Sequence, residues 1–229
     1  MVYKNEIFFR HMLYIFYQGN SYYCNVCDKG LRSFIIQKDD KLCPNCGSLS
    51  RTRRLWDLMQ SEFLKKDISI LDFSPSRSFY RKLKNQKNIS YFSTDLSGDF
   101  IADYQYNITQ IDSKDSTFDL IICFHVLEHI ENDGKAMAEL FRVLRTGGKC
   151  IIQTPFKEGD IYEDFSLTTE AERLYHFGQI DHVRIYSING LSQRLMEHGF
   201  RVEVRKFFPN ADNRNGFHPN ENILICSKD

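Results

Sequence analysis

From residue 68 onward, short apolar runs of the chain alternate with longer segments whose apolar positions recur at helical spacing. The longer segments predict a helix that begins near Pro75 and another over about 132–144. The short runs predict strands at 68–72, 91–95, 118–123 and 149–154. Because strands and helices that alternate in this way form a parallel sheet, this part of the chain is predicted to be an α/β domain with helices on both faces of the sheet.

The last part of the chain predicts one more helix and two more strands. The helix covers about 187–198 and Gly199 is its expected cap. Apolar runs at 200–208 and 222–227 predict two strands, which we interpret as a closing hairpin with a long connection.

Two further segments of the α/β region lack a strand or helix pattern. Gly147 and Gly148 follow the helix that ends near Leu144, where a left-handed cap is expected before the next strand. The segment 155–186 has little regular pattern and is interpreted as a long insertion. Since long loops over a sheet edge often close over ligands, we expect this insertion to be a lid that covers the substrate.

The first 66 residues have a different organisation. Apolar positions from Ile7 to Phe16 have helical spacing and predict a packing helix that ends near Gly19. A second helical pattern, from Leu55 to Phe63, is interpreted as a bridge to the larger domain. We therefore predict two domains, residues 1–52 with a helix and a cysteine-rich segment and residues 53–229 with the α/β sheet.

The cysteine-rich segment has the spacing of a metal site. Cys24 and Cys27 form one CxxC pair, and Cys43 and Cys46 form a second pair after fifteen intervening residues. Each pair is on a turn short enough to direct both sulfurs at one tetrahedral ion, so the spacing predicts a zinc ribbon. Four sulfur ligands leave no open position, and the Zn²⁺ is therefore expected to be structural.

Glycines follow both pairs and fit the tight turns of such a ribbon. Gly30 and Gly47 are interpreted as residues with positive φ, which glycine adopts without steric cost.

Three arginines directly after the ribbon allow two interpretations. Arg51, Arg53 and Arg54 would serve as a phosphate clamp if the substrate were RNA. Alternatively they form a solvated helix start or salt bridges. The chain has 30 basic and 30 acidic residues, so no net field attracts phosphate backbones or anionic membranes, and this favours the second interpretation.

Composition limits the class of protein. The 229 residues are 42% hydrophobic, which is ample for the core of a globular α/β protein. Charged residues such as Lys4, Glu6 and Arg10 interrupt the aromatic start of the chain, so it lacks the apolar run of a signal peptide or membrane span. We therefore expect a cytoplasmic protein without membrane contact; its oligomeric state is left open.

The ends of the predicted strands are the candidate cofactor site. In a doubly wound sheet, ligands bind outside the carboxyl ends of the strands. Asp72 is followed by Phe73, Ser74 and Pro75, where Ser74 is expected to cap the next helix and to direct its positive end at a carboxylate. Asp95 ends the next strand, 23 residues after Asp72, and this spacing suits a carboxylate that binds ribose hydroxyls.

Two longer motifs identify a family that this region resembles. FDLIICFHVLEHI at 118–130 and LFRVLRTGGK at 140–149, together with the strand ends above, resemble the successive motifs of class I S-adenosylmethionine (SAM)-dependent methyltransferases. The resemblance covers about residues 66–227 and is closest to type 11 methyltransferases. It implies a Rossmann-like sheet, SAM as the methyl donor, and a methyltransferase activity.

The resemblance also implies roles for individual residues. The first strand end would hold the methionine part of SAM, the second the ribose and the third the adenine, while the fourth would face the methyl group. The corresponding residues are Asp72, Phe73 and Ser74; Asp95 and Leu96; Asn107 and Ile108; and Phe124 and His125.

Two positions depart from the family pattern: the glycine-rich loop is replaced by Phe73-Ser74-Pro75-Ser76, and Asn107 stands where many relatives have aspartate. A resemblance to a branch with a cysteine ribbon and the run HFGQIDHVRIY favours an active enzyme.

Histidines near the fourth strand and the insertion are candidate bases for the proton that an oxygen or nitrogen acceptor releases. They are His125, His176 and His182. Our preferred pair is His182 as the base with Arg184 as an anion clamp. Glu128 is interpreted as a structural hydrogen-bond acceptor, and His129 as a capping or packing residue.

Three functions remain open from the sequence. The first is methyl transfer to a small-molecule or sugar-like acceptor bound under the insertion. The second is methyl transfer to RNA held by the ribbon and its arginines. The third is a non-catalytic adaptor on a methyltransferase-like scaffold.

Overall fold

The computed structural model describes residues 2–208 and 211–229, with side chains from Glu6 onward. Two compact units divide the chain. The first, which we call the ribbon unit, comprises Met1–Lys66, Ser76–Asn88 and Phe207–Glu221. The second, the sheet unit, comprises Asp67–Pro75, Ile89–Lys206 and Asn222–Asp229. These units differ from the predicted division at residue 52, because segments distant in sequence join the N-terminal residues.

The ribbon unit is built from short elements. In chain order they are α1 (Val2–Ile15), β1 (Gln18–Cys24), β2 (Lys29–Leu31), β3 (Ile35–Gln37), β4 (Asp40–Leu42), α2 (Ser50–Leu58), a π-helical turn (Met59–Phe63) and α3 (Arg77–Lys84). Strands β1 and β2 pair antiparallel, and so do β3 and β4. One cysteine turn connects β1 to β2, and the other follows β4 directly.

The prediction that α1 packs through its apolar positions is wrong for most of that face. Phe8, Phe9 and Phe16 are each at least 63% exposed. The contacts of α1 are polar instead: Arg10 pairs with Glu6, and the Tyr14 hydroxyl donates to the Gly30 carbonyl at 3.2 Å. Helical spacing predicted the helix correctly, but spacing alone does not supply an apolar partner surface.

The sheet unit carries the longer strands. Its elements are β5 (Ile68–Phe73), β6 (Ile89–Thr94), β7 (Phe118–Phe124), a 3₁₀ turn (Leu127–His129), α4 (Asp133–Val143), β8 (Leu144–Gln153), β9 (Phe156–Lys157), β10 (Tyr162–Glu163), α5 (Glu170–Phe177), β11 (Arg184–Ser187), α6 (Ile188–Glu197), β12 (Arg201–Phe207) and β13 (Glu221–Ser227).

The central sheet has six strands in the order β12-β13-β8-β7-β5-β6. Strands β6, β5, β7 and β8 are parallel, and β13 is antiparallel to β8. This is the predicted Rossmann-like α/β sheet, and the fold prediction is confirmed. The parallel register brings the carboxyl ends of β5, β6 and β7 to one edge of the sheet.

The core of the sheet unit follows the two-residue period of its strands. Alternate residues of β5, β7, β8 and β13 pack with the apolar stripes of α4 and α6 in one buried cluster. Its members include Leu71, Ile121, Ile152, Leu224, Met137, Leu140, Leu191 and Leu195. The intervening strand residues, such as Ile70, Ile122 and Ile151, are also buried, as expected for parallel strands.

Two local predictions about glycine and serine differ from the structure in part or in full. Gly147 has the expected left-handed conformation, with a φ of +78°, but Gly147 and Gly148 lie inside β8 and not before it, because the strand begins directly after α4. Ser74 does not cap α3, since the helix begins at Arg77 with Ser76 at its N-cap position. Asn132, in contrast, caps α4 by accepting from the backbone amide of Lys135.

The segment 155–186 is more regular than predicted. Strand β11 pairs with β10 on one side and with β9 on the other, so the segment forms a small sheet of its own. Helix α5 begins with a capping box between Thr169 and Glu172 and ends at Gly178 in the left-handed conformation. The strands were missed because two-residue strands carry no detectable period.

Candidate functional site

The carboxyl end of β5 has the backbone of a glycine loop without its glycines. Phe73 pairs in register with Thr94 of β6 and Cys123 of β7, and Ser74 follows with a φ of +48°. Non-glycine residues rarely adopt this left-handed conformation because it crowds the Cβ atom. Since such outliers concentrate at functional sites, this loop is a candidate ligand site by its geometry alone.

Asp95 lies beside this loop at the end of β6. Ser74 Oγ donates to its Oδ1 at 2.7 Å, and Oδ2 accepts from Ser97 Oγ at 2.9 Å and from the backbone amides of Gly98 and Phe100. Burial opposes ionisation, but these donors outweigh it and lower the pKa of Asp95. A carboxylate oxygen has about two lone-pair directions, so Oδ1 retains one acceptor position.

Asp72 is a second acid of this edge, with the opposite electrostatic character. It is fully buried and accepts from the Tyr91 hydroxyl at 2.8 Å. Burial raises its pKa to about 8, although the Tyr91 hydrogen bond acts in the other direction. Asp72 is therefore largely neutral at pH 7, whereas Asp95 is charged.

The remaining predicted cofactor residues divide into exposed and core positions. Phe73 and Ile108 are buried members of the hydrophobic core, so their side chains do not face a ligand. Asn107 Oδ1 accepts from the amide and hydroxyl of Thr109 in its own turn. Leu96 is 58% exposed, and Phe124 is half-buried at the end of β7. Both side chains are accessible enough to contact a ligand.

A group of ionisable side chains follows β7. His125 has a φ of +55° and donates its backbone amide to the Gln153 carbonyl of β8 at 2.8 Å. Its Nδ1 lies 3.2 Å from Oε1 of Glu128, which is only 1% exposed. His129 Nδ1 pairs with Asp181 Oδ2 at 3.1 Å, and its ring meets that of His182 edge-to-face with centroids 4.7 Å apart.

Several buried polar atoms in this region have no aligned hydrogen-bond partner in the described part of the chain. They are His125 Nε2, both Glu128 carboxylate oxygens, Gln153 Oε1, Thr154 Oγ1 and His182 Nε2. Buried polar groups are nearly always hydrogen-bonded, and an unpaired one costs about 1–3 kcal/mol. Their concentration near the ends of β7 and β8 makes this region a candidate site for a polar ligand or for bound water.

The charge states of this group follow from its surroundings. Burial opposes ionisation of Glu128, but the interaction with His125 prevails and lowers the pKa of the carboxyl group. Burial and the nearby His129 lower the pKa of His182. At pH 7 Glu128 is thus an anion, and the nearby imidazole of His182 is neutral. Glu128 faces His125 Nδ1 at 3.2 Å, which agrees with its interpretation as an acceptor, although neither oxygen has an aligned hydrogen bond from the described residues.

Two of the predicted catalytic residues do not join this group. Arg184 is 1% exposed, and its guanidinium donates to Glu163 and to the backbone carbonyls of Ile130 and Glu131. Because these acceptors occupy its donors, Arg184 supports the 155–186 segment and is not an anion clamp. His176 Nδ1 is hydrogen-bonded to the Tyr162 hydroxyl at 2.6 Å within that segment.

Sequence reasoning placed His125 and His182 at the site but missed how Glu128 and His129 complete it. The spacing His125-x-x-Glu128-His129 was the available signal. His182, 53 positions after His129, lies beside this run, and no local spacing connects it to Glu128 and His129.

The four cysteines of the ribbon unit converge as predicted. All four sulfurs lie within 4.8 Å of one another, with Cys24 and Cys46 3.7 Å apart and Cys27 and Cys43 3.8 Å apart. A tetrahedral ion with sulfur bonds of about 2.3 Å requires sulfurs about 3.8 Å apart. The donor set and its spacing therefore fit Zn²⁺.

The turns of the two cysteine pairs differ in detail. Gly47 has a φ of +77°, as predicted. Gly30 does not have a positive φ; a Cβ there would lie 2.6 Å from the Gly19 carbonyl oxygen, so close backbone approach requires the glycine. Asp28 takes the left-handed position of the first turn, with a φ of +56°.

The arginines after the ribbon are structural. The Arg53 side chain is buried, donates to the carbonyls of Ser48, Lys41, Asn215 and Gly216, and lies 4.1 Å from the Phe34 ring centroid.

Arg54 pairs with Glu221 at 3.3 Å and lies over the Phe217 ring. The guanidinium groups of Arg53 and Arg54 both have partners within the ribbon unit, which agrees with the favoured structural interpretation and not with the phosphate-clamp alternative. Arg51 is half-exposed.

Comparisons with known proteins agree with this geometry. Residues 49–204 match the family of methyltransferase domains. An uncharacterized protein of Methanocaldococcus jannaschii is 30% identical over 138 residues, which are 56% of this chain and 60% of that protein. A Mycolicibacterium smegmatis protein, named as a probable S-adenosylmethionine-dependent methyltransferase, is 35% identical over 49 residues, 21% of this chain and 19% of its own. The chain thus spans less than two thirds of either relative.

Solved structures share the fold. A SAM-dependent methyltransferase from Archaeoglobus fulgidus superposes with a TM-score of 0.57 at 15% identity, covering 78% of this chain and 93% of that one. The chain belongs to the methyltransferase domain family, and its sheet is that of the class I enzymes. The predicted class is confirmed. Each helix in residues 2–208 and 211–229 is too short or too polar to cross a membrane.

Proposed function

We propose that the protein transfers a methyl group from SAM to a hydroxyl or amine of a small, sugar-like acceptor. The observation that carries this proposal is the hydrogen bond from Ser74 to Asp95, which joins the carboxyl ends of β5 and β6. Polar atoms without an aligned partner lie near the ends of the neighbouring strands β7 and β8. The family match and the names of the relatives support SAM as the donor.

The strand ends have a chemistry that suits SAM. Ser74 keeps the left-handed backbone that lets a glycine loop approach a ligand, so the missing glycines do not remove the loop's conformation. Asp95 is a charged acceptor whose Oδ1 can take one further hydroxyl, as a ribose would offer. Asp72 stays neutral in the core below the loop.

SAM would supply a methyl group on a positively charged sulfur, a donor that needs alignment more than activation. The acceptor must lose a proton as it attacks. His125 is the base in this proposal, because its Nε2 is unpartnered and its Nδ1 faces the Glu128 carboxylate. A carboxylate in that position orients the imidazole ring.

A small acceptor fits better than RNA. The clamp that the RNA hypothesis required is absent at Arg53 and Arg54, whose guanidinium groups are engaged within the ribbon unit. The 155–186 segment carries His182 to the group after β7 and is a suitable cover for a small molecule. The predicted cytoplasmic location is consistent with such a substrate and remains a proposal.

We also propose that the four cysteines hold a structural Zn²⁺. The sulfur spacing supports this assignment, and a site closed by four thiolates stabilises a small fold without taking part in chemistry.

Isothermal titration calorimetry with SAM and S-adenosylhomocysteine tests the methyltransferase proposal. Binding of both, followed by methyl transfer to members of a sugar and polyol panel, is the expected result. If neither nucleoside binds at millimolar concentration, the adaptor hypothesis is the correct one. Salt-dependent RNA binding that is lost in Arg51→Ala would instead favour the RNA hypothesis.

A further inference from the structure

The group after β7 contains a set of side chains that can ligate a metal. Glu128, His129 and His182 each offer one ligand atom, and these atoms lie within 4.8 Å of one another. The three residues come from two segments of the sheet unit that are 53 positions apart. The Val183 backbone amide donates to the Glu128 carbonyl at 2.9 Å and fixes the second segment beside the first.

Two of these side chains are buried and unpartnered. Glu128 is 1% exposed, and neither of its carboxylate oxygens accepts an aligned hydrogen bond. His182 is 3% exposed, its Nε2 has no partner, and the Phe177 backbone is its other hydrogen-bond partner. The carboxylate and the free imidazole nitrogen are buried in one place, and each has an open position for a ligand. A cation supplies the missing contacts of both.

His129 is oriented as metal-bound histidines are. Its Nδ1 pairs with Asp181 at 3.1 Å, which leaves Nε2 as the ligand atom. A carboxylate on the far nitrogen of a ligating histidine fixes the ring and raises its basicity. Glu128 is similarly supported, since His125 faces its Oε1 and leaves Oε2 to the cation.

We propose that Glu128, His129 and His182 bind one divalent transition-metal cation. Two imidazole nitrogens and one carboxylate, without sulfur, suit Mn²⁺, Fe²⁺, Co²⁺ or Zn²⁺ better than Mg²⁺ or Ca²⁺, which prefer all-oxygen sites. Bonds of about 2.1 Å would draw the three side chains slightly together. The site is separate from the cysteine site, because its residues all lie in the sheet unit.

A role follows if the proposed methyltransferase function is correct. Three protein ligands leave coordination positions open, and an acceptor hydroxyl bound there has a lowered pKa. With SAM bound, the acceptor oxygen would bond to the methyl carbon as the carbon–sulfur bond breaks with its electron pair kept by sulfur, and His125 Nε2, the unpartnered nitrogen nearest the proposed ligands, would receive the hydroxyl proton. The products are the methyl ether, S-adenosylhomocysteine and protonated His125. The preferred acceptor class is therefore an alcohol.

The test uses the full chain, zinc-loaded, briefly treated with EDTA and desalted, and mass spectrometry must find one Zn²⁺ per chain, so that the thiolate site is filled before the titration. Co²⁺ is added, and binding is followed by calorimetry and visible absorption. We expect one Co²⁺ per chain with the spectrum of nitrogen and oxygen ligands and no thiolate charge-transfer band. Glu128→Gln and His182→Ala should lose this binding, whereas His11→Ala, which removes an exposed histidine, should retain it.

A variant with a partial effect on metal affinity distinguishes loss of a ligand from loss of the fold. Asp181 is exposed, so Asp181→Asn should fold normally and weaken Co²⁺ binding about 10- to 100-fold through His129. Equal Co²⁺ affinity in the wild type, Asp181→Asn and Glu128→Gln would overturn the proposal, as would the absence of Co²⁺ binding.

SAM titration of the same EDTA-treated protein separates the two proposals. SAM binding without Co²⁺ binding rejects the metal site alone, and Co²⁺ binding without SAM binding rejects the methyltransferase proposal alone.

Discussion

Ser74 Oγ donates a hydrogen bond of 2.7 Å to the Asp95 carboxylate and thereby joins the carboxyl ends of β5 and β6. The serine that replaces a loop glycine thus contributes a contact that glycine cannot make. Its left-handed φ of +48° carries a conformational cost, and the hydrogen bond to a charged acceptor opposes that cost.

The first prediction concerns Asp95 and SAM. Asp95→Ala should weaken SAM binding at least tenfold, because a hydrogen bond to a charged acceptor contributes about 1.5–3 kcal/mol. Calorimetric titration measures the change. Asp99→Ala is the matched control, since Asp99 is an exposed carboxylate in the same loop. Equal affinity in both variants would remove Asp95 from the cofactor site.

The second prediction separates the two effects of Ser74. Ser74→Gly and Ser74→Ala both lose the hydrogen bond to Asp95, but only alanine retains a Cβ in the left-handed conformation. Ser74→Ala should therefore be less stable than Ser74→Gly by about 1 kcal/mol. Urea unfolding at pH 7 measures the difference. An alanine variant as stable as the glycine variant would show that the loop does not hold this φ in solution.

The third prediction is a pH dependence due to Asp72. Its pKa of about 8 in the folded protein lies above the ordinary value of 3.8, because burial favours the neutral acid. The folded state thus binds this proton more tightly than the unfolded state. Stability from this group is fully present below about pH 4 and is lost as the pH rises towards 8.

Asp72→Asn removes this titration while keeping an oxygen for the Tyr91 hydroxyl. The free energy of unfolding of the variant, relative to wild type, should rise by about 1.4 kcal/mol per pH unit between pH 4 and 8. Urea unfolding at pH 5, 6.5 and 8 gives this slope. A difference independent of pH would mean that Asp72 ionises normally in the folded state.

The fourth prediction compares two arginines of the ribbon unit. Arg53→Ala leaves several buried carbonyl groups without a donor and should destabilise the protein by more than about 3 kcal/mol. Arg51 is half-exposed, and Arg51→Ala should change stability by less than about 0.5 kcal/mol. Thermal unfolding of the two variants distinguishes them, and similar melting temperatures would contradict the assigned contacts.

The fifth prediction concerns the cysteine site. Mass spectrometry should find one zinc per chain, and Cys43→Ser should reduce the zinc content. Ser48 Oγ lies 3.3 Å from Cys24 Sγ and 3.2 Å from Cys46 Sγ without being a ligand. Ser48→Ala should keep the zinc but yield it to a chelator at about 10- to 100-fold lower chelator concentration. Retention of zinc by Cys43→Ser would reject the four-cysteine site.

The parallel strands and the cysteine pairs could be predicted because each has a local signature. Apolar runs such as 118–123 are read from consecutive residues, and Cys24 with Cys27 lies on one turn. The small sheet of the 155–186 segment could not be predicted in the same way. Its strands β9 and β10 have two residues each, and pairing with β11 defines them.

Side-chain roles depended on partners far along the chain. The sequence predicts an anion clamp at Arg184 and leaves Arg53 between a phosphate contact and a structural role, but acceptors from other elements enclose both guanidinium groups. Their burial is decided by tertiary contacts with residues such as Glu163 and Gly216, which no spacing rule connects to them.

The sequence by itself determined the class of sheet, the order of its strand ends along the chain and the grouping of the four cysteines, because periodicity and short spacings act within a few residues. Only the tertiary structure decided that Ser74 reaches Asp95 and that His182 meets Glu128 and His129. The physical reason is that these contacts depend on strand register and on the path of a long connection. Hydrogen bonds and ligand sets require atoms to lie within a few ångströms of each other, and short-range sequence patterns do not specify such distances between remote residues.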